Sequence, residues 1–188
     1  MKRVIVYLHG FNSSPQSHKA RLLERYMAER GLADRYVCPA LPPRASAALA
    51  RIEPLLAPGT CLVGSSLGGF YATWLAEKHD LRAVLINPAI DPHLGLRGYL
   101  GPQQNLYTGE RYQLTEAHLG EWHSIYAPRV SPGRYLLLVE TGDEVLDYRK
   151  ALARYSGCEQ VVVQGGDHTL QSFAQHLPRI VRFAGLDG

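Results

Sequence analysis

Cys61-Leu62-Val63-Gly64-Ser65-Ser66-Leu67-Gly68-Gly69-Phe70-Tyr71 is the stretch on which the fold turns. Three strand-favouring apolar residues run into Gly64, and beyond the turn Leu67, Phe70, Tyr71, Trp74 and Leu75 fall at helical spacing. Gly64 and Gly68 stand two before and two after Ser66, so the chain can reverse there without side chains colliding. A serine on so sharp a turn takes strained backbone angles and is pushed clear of both elements. The helix that starts at the same place aims its unpaired amides and its positive end at that serine. Ser66 is therefore the candidate nucleophile and Ser65 a spacer, with the Leu67 amide a candidate donor to an oxyanion. A dinucleotide-binding loop would sit after the first strand with other glycine intervals, and no phosphate-loop lysine follows here.

Working outward, the same alternation repeats along the chain. Apolar runs at Val4 to Leu8, Tyr36 to Cys38, Cys61 to Val63, Ala83 to Ile86, Tyr135 to Val139 and Gln160 to Val163 read as six strands. Helical patterns lie between or after them: Lys19 to Arg30, Ala45 to Leu56 with a break at Pro54, the stripe from Leu67, Tyr148 to Tyr155, and Leu170 to Val181. Runs without in-out alternation mean strands covered on both faces, so the expected fold is an open, mostly parallel α/β sheet of about six strands with helices above and below. The exception is the stretch from about Pro88 to Gly133, where five glycines interrupt the pattern and no strand is visible. So long an excursion reads as a lid-like insertion in one domain spanning 1–188.

In such a sheet, chemistry gathers in the loops at the carboxyl ends of the strands. After the fifth run comes Thr141-Gly142-Asp143-Glu144-Val145, and after the sixth Gly165-Gly166-Asp167-His168-Thr169. A serine hydroxyl needs a histidine to take its proton and an acid to orient that histidine, so the candidate triad is Ser66, Asp143 and His168. Asp147 is the rival acid but reads better as the N-cap of the next helix. Asp167 reads as shaping the histidine loop, and Glu140, ending its strand, could serve as acid or as loop support. After the first run, His9-Gly10-Phe11-Asn12-Ser13-Ser14-Pro15 bends beside the serine turn; the Phe11 amide is the candidate second oxyanion donor, and His9 reads as a holder of this loop. In the insertion, Tyr99, Tyr107 and Trp122 are candidate substrate contacts, although such aromatics could equally complete the core.

Leu8-His9-Gly10-Phe11, Gly64 to Gly69, Gly142 to Val145 and Gly166-Asp167-His168 resemble the corresponding segments of the α/β-hydrolase superfamily. Tyr7 to Pro15 and Thr141 to Tyr148, with the short length, resemble more narrowly the YqiA-type esterases, small bacterial cytoplasmic hydrolases. That resemblance implies hydrolysis of a carboxylic ester or thioester without a cofactor, on a trimmed version of the fold. It names no acyl group and no leaving group.

The 188 residues carry 20 Lys+Arg against 17 Asp+Glu, a net +3 with no basic run, which argues against nucleic acid as a partner. No apolar run is long enough for a membrane span or a signal core. Cys38, Cys61 and Cys158 lack the spacing of a zinc or disulfide set and read as reduced thiols, two of them on buried strands, in a cytoplasmic protein. The eight histidines show no metal-binding interval, so no metal is expected. The expected partner is a small acyl ester or thioester; self-association into a homo-oligomer is left open. Two other functions fit the same residues: an acyltransferase or peptidase with the same triad, and a binding protein that kept the fold without the chemistry.

Overall fold

In the computed structural model, which describes residues 3–187, six strands form one parallel sheet. They are β1 (Val4–Leu8), β2 (Tyr36–Val37), β3 (Thr60–Ser65), β4 (Arg82–Ile86), β7 (Tyr135–Glu140) and β8 (Glu159–Val163), in the order β2-β1-β3-β4-β7-β8. The alternation hidden inside each apolar run decides which layer a residue joins. Val6, Leu8, Leu62, Leu85 and Leu137 face one core, against α2 (Ala45–Ile52), α3 (Leu67–His79) and α6 (Tyr148–Arg154). Their neighbours Ile5, Tyr7, Val63, Val84 and Leu138 face the other, against α1 (His18–Ala28) and α7 (Phe173–Phe183). Strand residues point alternately up and down, so a run apolar at every position can only be a strand with helices on both sides.

Two expectations are corrected at the periphery. The β8 edge is not covered on both faces: its residues are half-buried or exposed, and Val162 is 39% exposed, because an edge strand lacks a neighbour on one side. Of the cysteines only Cys61 is on a buried strand; Cys38 follows β2 and is half-buried.

The insertion does contain strands. β5 (Gly101–Gln104) and β6 (Arg111–Leu114) pair as an antiparallel ribbon, Gly101 opposite Leu114 and Gln104 opposite Arg111. The ribbon faces water on one side and carries polar residues there, so it has no continuous apolar run to announce it. A short helix α4 (Pro92–Gly95) precedes it and α5 (Glu116–Ser124) follows. The insertion is tied down in two ways. Leu114, Leu119 and Trp122 are buried in the core beside α3, where the Trp122 indole donates to the Tyr71 hydroxyl at 2.7 Å. The Glu121 carboxylate meets Arg44 and accepts from the Ser46 amide at 3.1 Å, fixing α5 on the start of α2.

The strand order places the site. The chain leaves β1 toward β2 on one side and returns to β3 on the other, so the loops after β1 and β3 diverge and open a crevice at the carboxyl edge. β7 and β8 are adjacent, Glu140 opposite Val163, which sets their following loops side by side.

Candidate active site

Ser66 sits where β3 ends and α3 begins, with φ 54° and ψ −119°. Left-handed values of this kind cost a non-glycine residue about 1–3 kcal/mol and persist only when the surroundings enforce them. The enforcement is visible. The Ser66 amide donates to the Ile86 carbonyl at 3.0 Å, and the Ser66 carbonyl accepts from the Gly69 and Ala89 amides. A Cβ on Gly64 would lie 2.3 Å from the Gly68 carbonyl oxygen, and one on Gly68 only 1.9 Å from that of Leu8. Only hydrogen fits at either place. Leu67 is the first residue of α3, so its amide has no acceptor within the helix, and the residue lines the same crevice.

From Ser66 a chain of hydrogen bonds runs across the end of β4 to the β7 and β8 loops. The Ser66 hydroxyl lies 3.1 Å from His168 Nε2, and His168 Nδ1 lies 2.8 Å from Asp143 Oδ2. The other Asp143 oxygen accepts from the Val145 and Leu146 amides at 2.9 and 2.8 Å. The Asp143 side chain is 1% exposed. Burial alone would raise its pKa, but the hydrogen bonds from His168 and the two amides outweigh it and hold the carboxyl below its ordinary value. Asp143 is thus ionised near neutral pH and can only accept. His168 Nδ1 is therefore the donor to Asp143, which leaves Nε2 as the ring nitrogen that faces the serine hydroxyl, the arrangement in which a neutral ring can take that proton.

Around Ser66 opens a cleft of about 620 Å³. Gly10, Phe11 and Leu67 border it on the β1 and β3 loops, and a Cβ on Gly10 would lie 3.3 Å from that of Ser66. Part of its wall comes from the insertion, with Ile90, Leu96, Tyr99, Leu106 and Tyr107. The ribbon is stapled to the β1 loop: Asn12, itself at φ 51°, donates to the Gln103 side chain and accepts from the Tyr112 hydroxyl, while its carbonyl accepts from the Leu106 amide. His9 braces the same loop from below. Its Nδ1 donates to the Gly10 carbonyl and its Nε2 accepts from the Leu41 amide, both at 3.0 Å, which uses both ring nitrogens in the neutral form. Burial holds His9 below its ordinary pKa, so the brace stays neutral.

A family model described as an uncharacterised protein family, UPF0227, matches residues 4–185. The chain belongs to UPF0227. That is the YqiA-like group its motifs resemble, and the fold is the α/β-hydrolase fold. Solved structures similar to this UPF0227 chain share that fold at low identity. A structure from work on LipS and LipT, two metagenome-derived lipolytic enzymes, is 20% identical, with a TM-score of 0.71 over 98% of this chain and 94% of the other. Alpha/beta hydrolase domain-containing protein 10 from mouse is 17% identical, TM-score 0.69, over 99% and 90%. Est1E from Butyrivibrio proteoclasticus with ferulic acid bound is 14% identical, TM-score 0.69, over 96% and 87%.

The remaining candidates of the UPF0227 chain fall on both sides of the cleft wall. Tyr99 and Tyr107 line the cleft and are about half exposed, at 53% and 50%. Trp122 does not line it; at 0% exposure the indole lies behind Phe11, ring centroids 6.5 Å apart. The aromatics of the insertion thus divide between lining and core, with Trp122 in the core. Asp147 caps α6, accepting from the Arg149 amide at 3.1 Å, and Asp167 folds back on the Thr169 amide at 2.8 Å. Ser17 occupies the N-cap position of α1 with no side-chain cap bond.

Three supporting residues were not foreseen. Asn87, one residue past β4, donates from its amide to the carbonyls of Asp167 and His168, and Glu144 accepts from the His168 amide at 3.0 Å. Lys19 on α1 donates to the Thr169 carbonyl at 2.8 Å; burial lowers its pKa to about 8 against the pull of Asp167, Asp143 and Glu140. For Asn87 a signal was present: it stands at the carboxyl end of a strand, just ahead of Pro88, where ligand-facing loops begin. Among the described residues, no three His, Cys, Asp or Glu side chains gather where they could hold a metal ion, and no helix is long and apolar enough to cross a membrane.

Proposed function

We propose that this chain is a serine hydrolase of carboxylic esters or thioesters. The observation that carries the reading is the unbroken run from Asp143 through His168 to Ser66, at 2.8 and 3.1 Å, ending beside a helix N-terminus in an open cleft. As His168 Nε2 accepts the hydroxyl proton, Ser66 Oγ attacks the substrate carbonyl carbon and a tetrahedral oxyanion forms. The amides of Phe11 and Leu67 hold that oxyanion, a contribution of about 3–4 kcal/mol per donor in enzymes of this kind. The imidazolium, kept in place by ionised Asp143, protonates the leaving alcohol or thiol, and an acyl-Ser66 remains. Water, deprotonated by His168, then releases the carboxylic acid and restores the serine. No cofactor enters this cycle.

The names of the structural neighbours support the same class of chemistry: lipolytic enzymes in one case, a protein with ferulic acid bound in another. Tyr99 and Tyr107 are the proposed substrate contacts, and the insertion at 88–133 acts as a wall within one domain. Cys38, Cys61 and Cys158 are all free thiols, which supports a cytoplasmic location.

The test is a panel of p-nitrophenyl esters and thioesters of graded acyl length, with both products quantified by mass spectrometry, with and without added alcohol or amine acceptors. Hydrolysis predicts one free acid per leaving group, independent of the acceptor. Acyl transfer in preference to hydrolysis would move the reading to an acyltransferase. Absence of turnover by folded protein on every member, with binding retained, would move it to a binding protein. Within the hydrolysis reading, Asp143→Asn lowers kcat by about 10⁴-fold with KM nearly unchanged, because the neutral amide donates to Nδ1 and turns the protonated Nε2 toward Ser66. Steady-state kinetics on the best ester measures it, and a loss under tenfold contradicts the assigned role.

A further inference from the structure

Glu140 ends β7 and is 1% exposed, a buried carboxylate that the proposed reaction does not use. Its Oε2 accepts from the amides of Asp167 and Gln171, both at 2.9 Å, and its Oε1 from the amide of Ser172 at 2.8 Å. All three donors flank His168 in one loop. The same loop also meets Asn87, 2% exposed and held at φ 39°. Its Nδ2 donates to the carbonyls of Asp167 and His168, both at 3.1 Å, and its Oδ1 accepts from the Glu140 amide at 3.1 Å. Gly166 makes the approach possible: at φ 69°, a Cβ there would lie 1.8 Å from Glu140 Oε2. The backbone of residues 167 and 168 is thus held at the Asp167 amide and at both carbonyls, by groups anchored at the carboxyl ends of β7 and β4.

We infer that Glu140 and Asn87 are positioning residues for His168, a buried clasp that sets the imidazole against Ser66 from the frame of the sheet and not from the loop itself. The inference rests on the serine-hydrolase reading proposed above. Burying a carboxylate to hold a loop is costly unless its oxygens are fully used. Here the hydrogen bonds from Ser172, Asp167 and Gln171 outweigh the penalty of burial and hold the acid below its ordinary pKa. What those bonds fix is the peptide frame of a single side chain. Ring placement matters steeply, since a shift of about 1 Å in a reacting group can cost about 100-fold in rate.

Glu140→Gln keeps the shape but turns an NH₂ toward backbone amides that need acceptors. Asn87→Asp keeps the shape but turns an acceptor toward two carbonyls. For each, kcat should fall about 10- to 100-fold with KM within about threefold, and the rate of fluorophosphonate labelling at Ser66 should fall in the same proportion. The decisive measurement repeats both variants in a His168→Ala background. A clasp that acts only through His168 has no further effect there, so the labelling rate of each double variant stays within about twofold of His168→Ala alone. Wild-type labelling rates in folded Glu140→Gln and Asn87→Asp, or the full loss recurring in the His168→Ala background, would overturn the inference. If one variant does not fold, the other carries the test. Failure of the hydrolase reading shows separately, as wild-type protein that is not labelled at Ser66 or is labelled equally fast without His168.

Discussion

Under the serine-hydrolase reading, Ser66→Ala is expected to remove turnover. On the best substrate of the panel, kcat falls by about 10⁶-fold, the loss that follows when the nucleophile of a serine triad is deleted, while KM stays within a few-fold. The variant also separates chemistry from folding. Ser66 holds its turn through backbone bonds to Ile86, Gly69 and Ala89, not through its hydroxyl, and alanine keeps all of them. Its thermal midpoint should therefore stay within a few degrees of wild type. Among the described residues the hydroxyl's polar contact is His168, which retains Asp143 on its other nitrogen. A Ser66→Ala protein that hydrolyses esters within tenfold of wild type would refute nucleophilic catalysis at this residue.

Gly68→Ala is expected to cause a large loss of stability. The added methyl would lie 1.9 Å from the Leu8 carbonyl oxygen, 2.5 Å from its carbon and 2.8 Å from the His9 carbonyl oxygen. None of these atoms can swing aside, because Leu8 ends a strand hydrogen-bonded to both β2 and β3. Relief requires α3 to move off the sheet, carrying Leu75 and Ala76, each 0% exposed, out of the core. The cost is about 4 kcal/mol or more, in the range reached only by a few mechanisms, of which backbone collision is one. The comparison is Gly98→Ala, where nothing lies within 4 Å of the new carbon and φ is ordinary; stability there changes by less than about 1 kcal/mol. Urea unfolding of the two variants beside wild type measures the difference. Equal midpoints would show that the elbow is looser than its glycines imply.

The turn at Ser66 was readable because its chemistry and its sterics demand the same residues. Gly64 and Gly68 are required whatever the serine does, and the strand before and helix after them have unmistakable periods. The central strands β1, β3, β4 and β7 are readable for a related reason: a parallel sheet between helices needs an apolar side chain at nearly every position, so Val4 to Leu8 or Tyr135 to Val139 could be little else. Where burial is one-sided the signal fades. Gly101 to Gln104 and Arg111 to Leu114 pair only with each other, show mixed polarity, and pass for loop.

The candidates Asp143 and His168 are legible from the order of loops along the chain, which fixes topology but not what grips each loop. Glu140 and Asn87 contribute through bonds to backbone groups, and backbone partners leave no trace in residue spacing. Trp122 and Tyr107 carry the same apolar character in the sequence. One lies under the sheet's helix layer and the other beside the cleft, a difference set by packing of α5 on α3 and by the staple between Asn12 and the ribbon. His9 shows the converse case. A lone histidine beside the proposed nucleophile invites a catalytic role, yet both of its nitrogens are committed to backbone groups of loops after β1 and β2.

The central claim is that Ser66 is an activated nucleophile, and a fluorophosphonate probe tests it without knowledge of the substrate. Intact-mass spectra of wild type and Ser66→Ala after equal exposure, followed by peptide mapping, give the answer. The account predicts a single adduct on wild type, located on Ser66, and none on Ser66→Ala. No adduct on folded wild-type protein, or an adduct that persists in the variant, would contradict it.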